Sequence, residues 1–331
     1  MTGIAEVSGY QKGERFVGYM MCGIVMMQSV ISASIPWHFY AITLQNLMAD
    51  SLAGAEMPFI PILVLGIIAS ILTMFVYIGI GKFILRLDVS KLQELPPDFY
   101  EKAKNIKLTK EGKIGLIILA VFILCMCLPS FAPKLPFSPF LKEMGLQGVS
   151  IMMLAVLLIL RDENGKPYAT TSKLAANGLS WELAFLVTST LSMAALMKAP
   201  DVALLSRITG ALLPIVTKFS PMMFVVLTIV IFWAITQVTH NFIIVLTLVG
   251  ALSGVCVQIG IHPWLFGWMF MCTMSLAYAT PAASSPGAMF YGNEWVAKKD
   301  AYLCGFLYSF FNLIAFLLIM LPLAKVMFGS L

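Results

Sequence analysis

The sequence predicts an all-α membrane protein whose apolar helices are broken at membrane depth by short polar segments. Three observations lead there. First, 60% of the 331 residues are hydrophobic and 11% are charged, with a mean hydropathy of +0.92. A soluble domain carries about 45–50% apolar and about 25% charged residues, so this excess is more than one water-facing core can hide. Second, the runs Met57–Ile84, Ile114–Phe131, Met222–Ile235, Phe242–Val257 and Tyr302–Phe328 hold few or no ionised side chains. Third, polar clusters interrupt this pattern at 236–241 and 279–288.

The elements follow in order. Met1–Arg15 is polar and lacks the apolar stretch of a signal peptide. Phe16–Ile35 begins after Lys12 and Arg15 and stops at Pro36. Residues 32–46 then mix Ser34, Pro36, His38, Thr43, Gln45 and Asn46 among apolar neighbours and read as a broken helix. Residues 57–86 form a span, since about 20 apolar residues cross the hydrocarbon core. The polar connector 86–113 is dense in Lys and Arg and belongs on the cytoplasmic side; Asp98–Lys110 within it is a candidate surface helix. Ile114–Phe131 and Gly145–Leu160 read as an outgoing and a returning span. Arg161–Lys173 is again cytoplasmic and Trp181–Met197 goes out. Asp201–Lys218 reads as an amphipathic helix at the outer interface.

Met222–Val257 has its polar cluster in the middle, and each arm is short for a span. A hairpin that enters from outside and turns within the membrane fits better. Trp264–Ala277 then runs inward, breaks at Thr280–Gly287 and resumes at Ala288, and Tyr302–Phe328 is the last span. This topology puts fifteen of the 21 Lys and Arg inside, whereas a full span at 222–257 would move Lys298 and Lys299 out. Charge favours the hairpin.

Irregular backbone is tolerated at membrane depth only where protein or a watery cavity satisfies it. The breaks at 236–241 and 279–288 therefore need a partner and are expected to pack together around a polar site. Discontinuous helices do this in transporters: half-helix N-termini face anionic groups and freed carbonyls hold a coupling cation. Between Phe219 and Ala297 there is no Lys or Arg and one acid, Glu294. An anion there would be held by helix dipoles, backbone N–H groups and hydroxyls. His240 is the histidine expected at the intramembrane turn, where a structural hydrogen-bonding role competes with proton carriage. The six cysteines form neither a disulfide framework nor a zinc site and read as buried apolar residues. No HExxH, Gly-x-Ser-x-Gly, Walker loop or intramembrane aspartate pair is present, which argues against an enzyme or an ATP-driven pump. The formal charge of +5 clusters at the ends of apolar runs, so no nucleic-acid partner is expected.

At its breaks the sequence resembles the divalent anion:sodium symporter family, carriers of dicarboxylates, citrate or sulfate. That family is built from two inverted repeats, each with a re-entrant hairpin bearing a Ser-Asn-Thr tip and a broken helix bearing a Thr-Pro-Pro-Asn-like loop. Here the run Ile235–Phe242 stands at the second tip: Asn241 keeps the family's Asn, while His240 and Phe242 replace its Ser and Thr. The run Ser284–Gly292 stands in the second loop. Ser284 replaces Thr, Ser285 a Pro and Gly287 the Asn, with Pro286, Ala288 and Gly292 kept. In the first repeat, Ser32–Ile35 and Thr43–Leu47 resemble the matching loop, with Asn46 retained.

The resemblance implies an inverted-repeat secondary transporter fold whose first repeat is incomplete. Residues 1–56 are then a remnant of that repeat, 57–113 a span with its cytoplasmic loop, and 114–331 the second repeat, with its hairpin at about 219–257 and broken helix at about 263–297. Thr239, His240, Asn241, Ser284, Ser285, Pro286, Gly287 and Asn46 are the implied contacts to a small anionic substrate. Thr236, Asn241, Thr280 and Ala283 are the implied cation-coupling positions, for Na+ or, through His240, for H+. No cofactor, and no metal beyond a transported sodium, is expected. The resemblance also implies a homodimer in the plasma-membrane bilayer, with the family's first spans either truncated from this sequence or supplied by a partner chain. The alternative is a non-transporting membrane protein, either degenerate or a subunit that only completes a partner.

Overall fold

The computed structural model describes Ala5, residues 8–52, 57–93, 109–161, 165–177 and 218–329, and scattered positions between 181 and 214. The expected surface helix Asp98–Lys110, the span Trp181–Met197 and the amphipathic helix Asp201–Lys218 fall largely outside these residues. The described elements are helices, and five are long and apolar enough to cross a membrane, or six if one bent pair counts as a single span. The protein is therefore membrane-embedded and all-α among its described residues.

Two compact units form, Met1–Leu95 with Thr190–Leu331, and Pro96–Ser189. These cut the chain differently from the division at 56 and 113 expected from repeats. Packing joins the early helices to the last third of the chain, a pairing invisible to a linear reading.

In the larger unit, α1 (Arg15–Ser34) ends at Ile35-Pro36 and is followed by α2 (Phe39–Leu47) and the short α3 (Ala49–Leu52). Proline cannot continue the helix and forces the preceding residue into extended backbone, and Ile35 sits at ψ 123°. α4 (Phe59–Gly79) continues through a π-helical turn, Ile80–Ile84. It runs antiparallel to α1: Trp37 meets Phe59 at one end, with ring centroids 5.9 Å apart, and Tyr19 stacks on Tyr77 at the other at 4.1 Å.

The hairpin consists of α5 (Pro221–Thr236) and α6 (Asn241–Gln258), and α7 (Pro263–Met274) follows a tight loop in which Gly260 takes φ +75°. Asn241, at the start of α6, bonds the carbonyl of Met274 at the end of α7, so these two helices are antiparallel. Phe232 lies edge-on to Phe270, which sets α5 and α7 running the same way. α5 and α6 therefore fold back on each other, with their tip at 237–240. α2 and α3 run beside α6, with Tyr40 against Phe242, Leu47 against Gly250 and Ser51 Oγ 2.9 Å from Ser253 Oγ.

All twelve residues of α7 are buried, as its run of Trp, Phe, Met and Leu on every face requires. After it the chain unwinds over 275–284 before α8 (Ser285–Tyr291). α9 (Lys298–Ala315), a π-helical turn (Phe316–Met320) and α10 (Leu321–Phe328) make a rod of 31 residues parallel to α1. At 1.5 Å per residue it is about 46 Å long, more than the roughly 30 Å hydrocarbon core needs.

The smaller unit contains α11 (Lys110–Phe131) and α12 (Ser138–Ile159), joined by a short turn. The expected return at 145–160 is not one straight span. The helix begins at Ser138 and bends by 99° at 145–148, where Gly145 has φ 60° and ψ −171°. That backbone is open almost only to glycine.

Candidate functional site

The hairpin tip and the unwound segment meet. Their junction lies deep in the unit: Ser309 of α9 donates to the carbonyl of Leu276 from a point eleven residues beyond Lys298, about 17 Å along the rod. The remaining length of the rod extends beyond it, to where Phe328 stacks on His262.

Gln237 organises the contact. Its Oε1 accepts from the backbone N–H of Tyr278 at 3.3 Å and of Ala279 at 3.1 Å, and its Nε2 donates to Trp233 O at 3.0 Å. Thr280 Oγ1 donates to Gln237 O at 2.5 Å. Asn241 adds two bonds, from its backbone N–H to Ala283 O at 2.9 Å and from Nδ2 to Met274 O at 3.1 Å. Each break thus supplies what the other's unwound backbone lacks. Unpaired, each buried group would cost about 1–3 kcal/mol.

Two helix starts converge here. His240 caps α6, its Nδ1 accepting from Phe242 N–H at 3.3 Å, and its Nε2 lies 3.1 Å from Ser285 Oγ at the start of α8. Because Nδ1 accepts, the neutral ring carries its proton on Nε2 and donates to Ser285. Ser284 Oγ caps α8 by accepting from Gly287 N–H at 3.2 Å and itself donates to Ala277 O at 2.8 Å.

The candidate residues divide by exposure. Thr236, Ser284, Gly287 and Ala283 are buried; His240, Asn241, Thr280 and Pro286 are half-buried; Thr239 and Ser285 are exposed. Thr236 Oγ1 is turned to Trp233 O at 2.7 Å. Asn46 lies apart, exposed on α2, and the junction bonds do not include it. His38 and His262 prove to be caps like His240, accepting from Tyr40 N–H at 3.4 Å and Trp264 N–H at 3.2 Å.

Several contributors were not singled out from sequence. Tyr278, within the break, shares a hydrogen bond with Ser29 Oγ, donates to Val25 O at 3.3 Å, and accepts at its own carbonyl from Tyr291 OH at 3.0 Å. Gly305 lets α9 pass that same carbonyl: a Cβ there would lie 2.0 Å from Tyr278 O. The tyrosine sits in an apolar run and the glycine in an ordinary helix, so only tertiary packing reveals them.

The junction carries no formal charge of its own. Glu294 pairs with Lys12 at 2.8 Å, at the charged end of the unit. No protein-family model matches this chain, and no curated protein matches it.

Proposed function

We propose that this protein is a secondary transporter of small organic or inorganic anions, of the dicarboxylate, citrate or sulfate class, working by alternating access. One observation carries the reading: two breaks in membrane-embedded helices bond to each other deep in one unit and bring two helix N-termini together. Aligned peptide dipoles make the N-terminus of the 18-residue α6 equivalent to roughly half a positive charge, which favours an anionic guest. Thr239 and Ser285 are the exposed hydroxyls at the accessible edge that would contact it, with Ser285 already held by the Nε2–H of His240. A hairpin tip packed on a broken helix is what an inverted-repeat carrier in a plasma membrane would have.

Coupling involves Na+ or H+. For Na+, Thr236, Asn241, Thr280 and Ala283 would offer neutral hard oxygen donors. For H+, protonation of His240 at Nδ1 removes the acceptor for Phe242 N–H, so proton binding would loosen the cap of α6. The test is uptake of labelled succinate, citrate and sulfate into proteoliposomes, with sodium and pH gradients varied independently. Uptake of at least one, abolished by collapsing its driving gradient, is expected. No uptake of any under any gradient would refute the reading.

A further inference from the structure

A cavity of about 420 Å3 opens where α1 begins and α4 ends, far from the junction. Glu14, Arg15, Arg86, Asp88 and Asp300 all line it. Three of these are already matched. Arg15 Nε donates to Asp300 Oδ1 at 2.9 Å, and Glu14 accepts from Lys91 at 2.8 Å. Among the described residues of the lining, the charged groups outside these ion pairs are the exposed Arg86 guanidinium and the exposed Asp88 carboxylate, which accepts from Ser90 N–H. Hydrogen bonds from Ser90 hold that carboxyl below its usual range, so it is an anion at neutral pH.

Arg86 has φ +47°, the single non-glycine positive φ among the described residues. A long side chain is unusual in that backbone, and such outliers cluster at sites that use them. The cavity also continues an apolar stripe. Ile60, Ile67, Ile71, Phe75 and Ile78 are exposed along one face of α4, and Leu85, just after the π-helical turn that ends this helix, lines the cavity together with Phe16. Beside it Lys82 Nζ sits 5.5 Å above the ring of Phe83, an arrangement suited to a membrane interface.

We propose that this cavity seats a phospholipid of the phosphatidylethanolamine class, its phosphate on Arg86, its ammonium on Asp88 and an acyl chain along the α4 stripe. The charge pattern separates this lipid from its neighbours. A phosphatidylglycerol headgroup has no cation for Asp88, and a choline headgroup has no N–H to donate to the carboxylate. The cavity's size suits a headgroup rather than a macromolecule.

The test is native mass spectrometry of the full chain in detergent with equal amounts of phosphatidylethanolamine, phosphatidylglycerol and phosphatidylcholine of matched acyl chains. Phosphatidylethanolamine is expected to be retained about tenfold over either competitor, corresponding to about 1.4 kcal/mol. Asp88→Asn should abolish that preference, whereas Arg86→Gly should weaken retention of all three lipids alike, because it removes the phosphate contact they share. Arg86→Gly relieves the backbone, so its thermal midpoint should be unchanged or raised, which separates lost binding from lost folding. Equal or better retention of either competitor would overturn the proposal, as would a preference that survives Asp88→Asn or an unchanged retention of all three lipids by Arg86→Gly. Soluble glycerophosphoethanolamine competing as strongly as the intact lipid would remove the role of the acyl chain and overturn the lipid assignment.

Discussion

At the scale of single residues, Gln237 holds the junction most directly, because one amide serves two backbone donors and one backbone acceptor. Gln237→Ala orphans the N–H groups of Tyr278 and Ala279 and should cost about 1–3 kcal/mol for each, read as a lower thermal midpoint in detergent. His240 makes a different prediction. Its cap on Phe242 exists only while Nδ1 is unprotonated. His240→Ser keeps a capping oxygen that does not titrate. Under proton coupling, uptake by this variant should lose its pH dependence between roughly pH 5 and 8; an unchanged profile would leave sodium as the coupling ion. Asn241, Thr280 and His240 were legible in the sequence because polar side chains inside an apolar run demand partners. Gln237 stood in the same cluster, but its role depended on which backbone lay opposite. Asn46 looked equivalent by motif and lies elsewhere, since a retained residue type does not fix which face of α2 it occupies.

At the scale of elements, breaks were more legible than directions. Pro36, the 236–241 cluster and the Pro/Ser-rich 280–287 segment mark three of the interruptions among the described residues of the larger unit, because each removes helical hydrogen bonds or competes for them. The bend in α12 was missed, as a lone glycine in an apolar helix is usually harmless. Gly145→Ala should cost about 1–3 kcal/mol, since the residue is held where only glycine is at ease; an unchanged unfolding midpoint would show that the bend is not fixed. The start of α1 is tied to the segment after α4 by Glu14–Lys91. The Lys91 ammonium and the Gln11 N–H lower the Glu14 pKa from its ordinary 4.5. Stability from this pair is therefore complete above that value and is lost as pH falls through the lower, folded one. The pair is largely exposed, so the effect is about 0–1 kcal/mol. Lys91→Met should flatten that part of the acid limb of an unfolding profile.

For the whole molecule, the membrane class followed from composition and run length, and five candidate spans agree with it. The grouping into units did not follow, because it is set by packing between segments more than 200 residues apart, as in Arg15–Asp300 and Tyr308–Met26. Gly305 tests that packing. Gly305→Ala puts a methyl group where the Tyr278 carbonyl now sits, and should prevent α9 from docking on the break, seen as loss of monodisperse protein on gel filtration.

The most direct measurement concerns Ser285, exposed at the edge of the junction. In a background with the half-buried Cys125 and Cys127 replaced by alanine, the other cysteines are buried. Ser285→Cys can then be labelled in proteoliposomes by a membrane-impermeant thiol reagent, alone or with succinate, citrate or sulfate. At least one of these anions should slow labelling about tenfold by occupying the site. Identical labelling rates under all three would contradict a binding site between the two breaks.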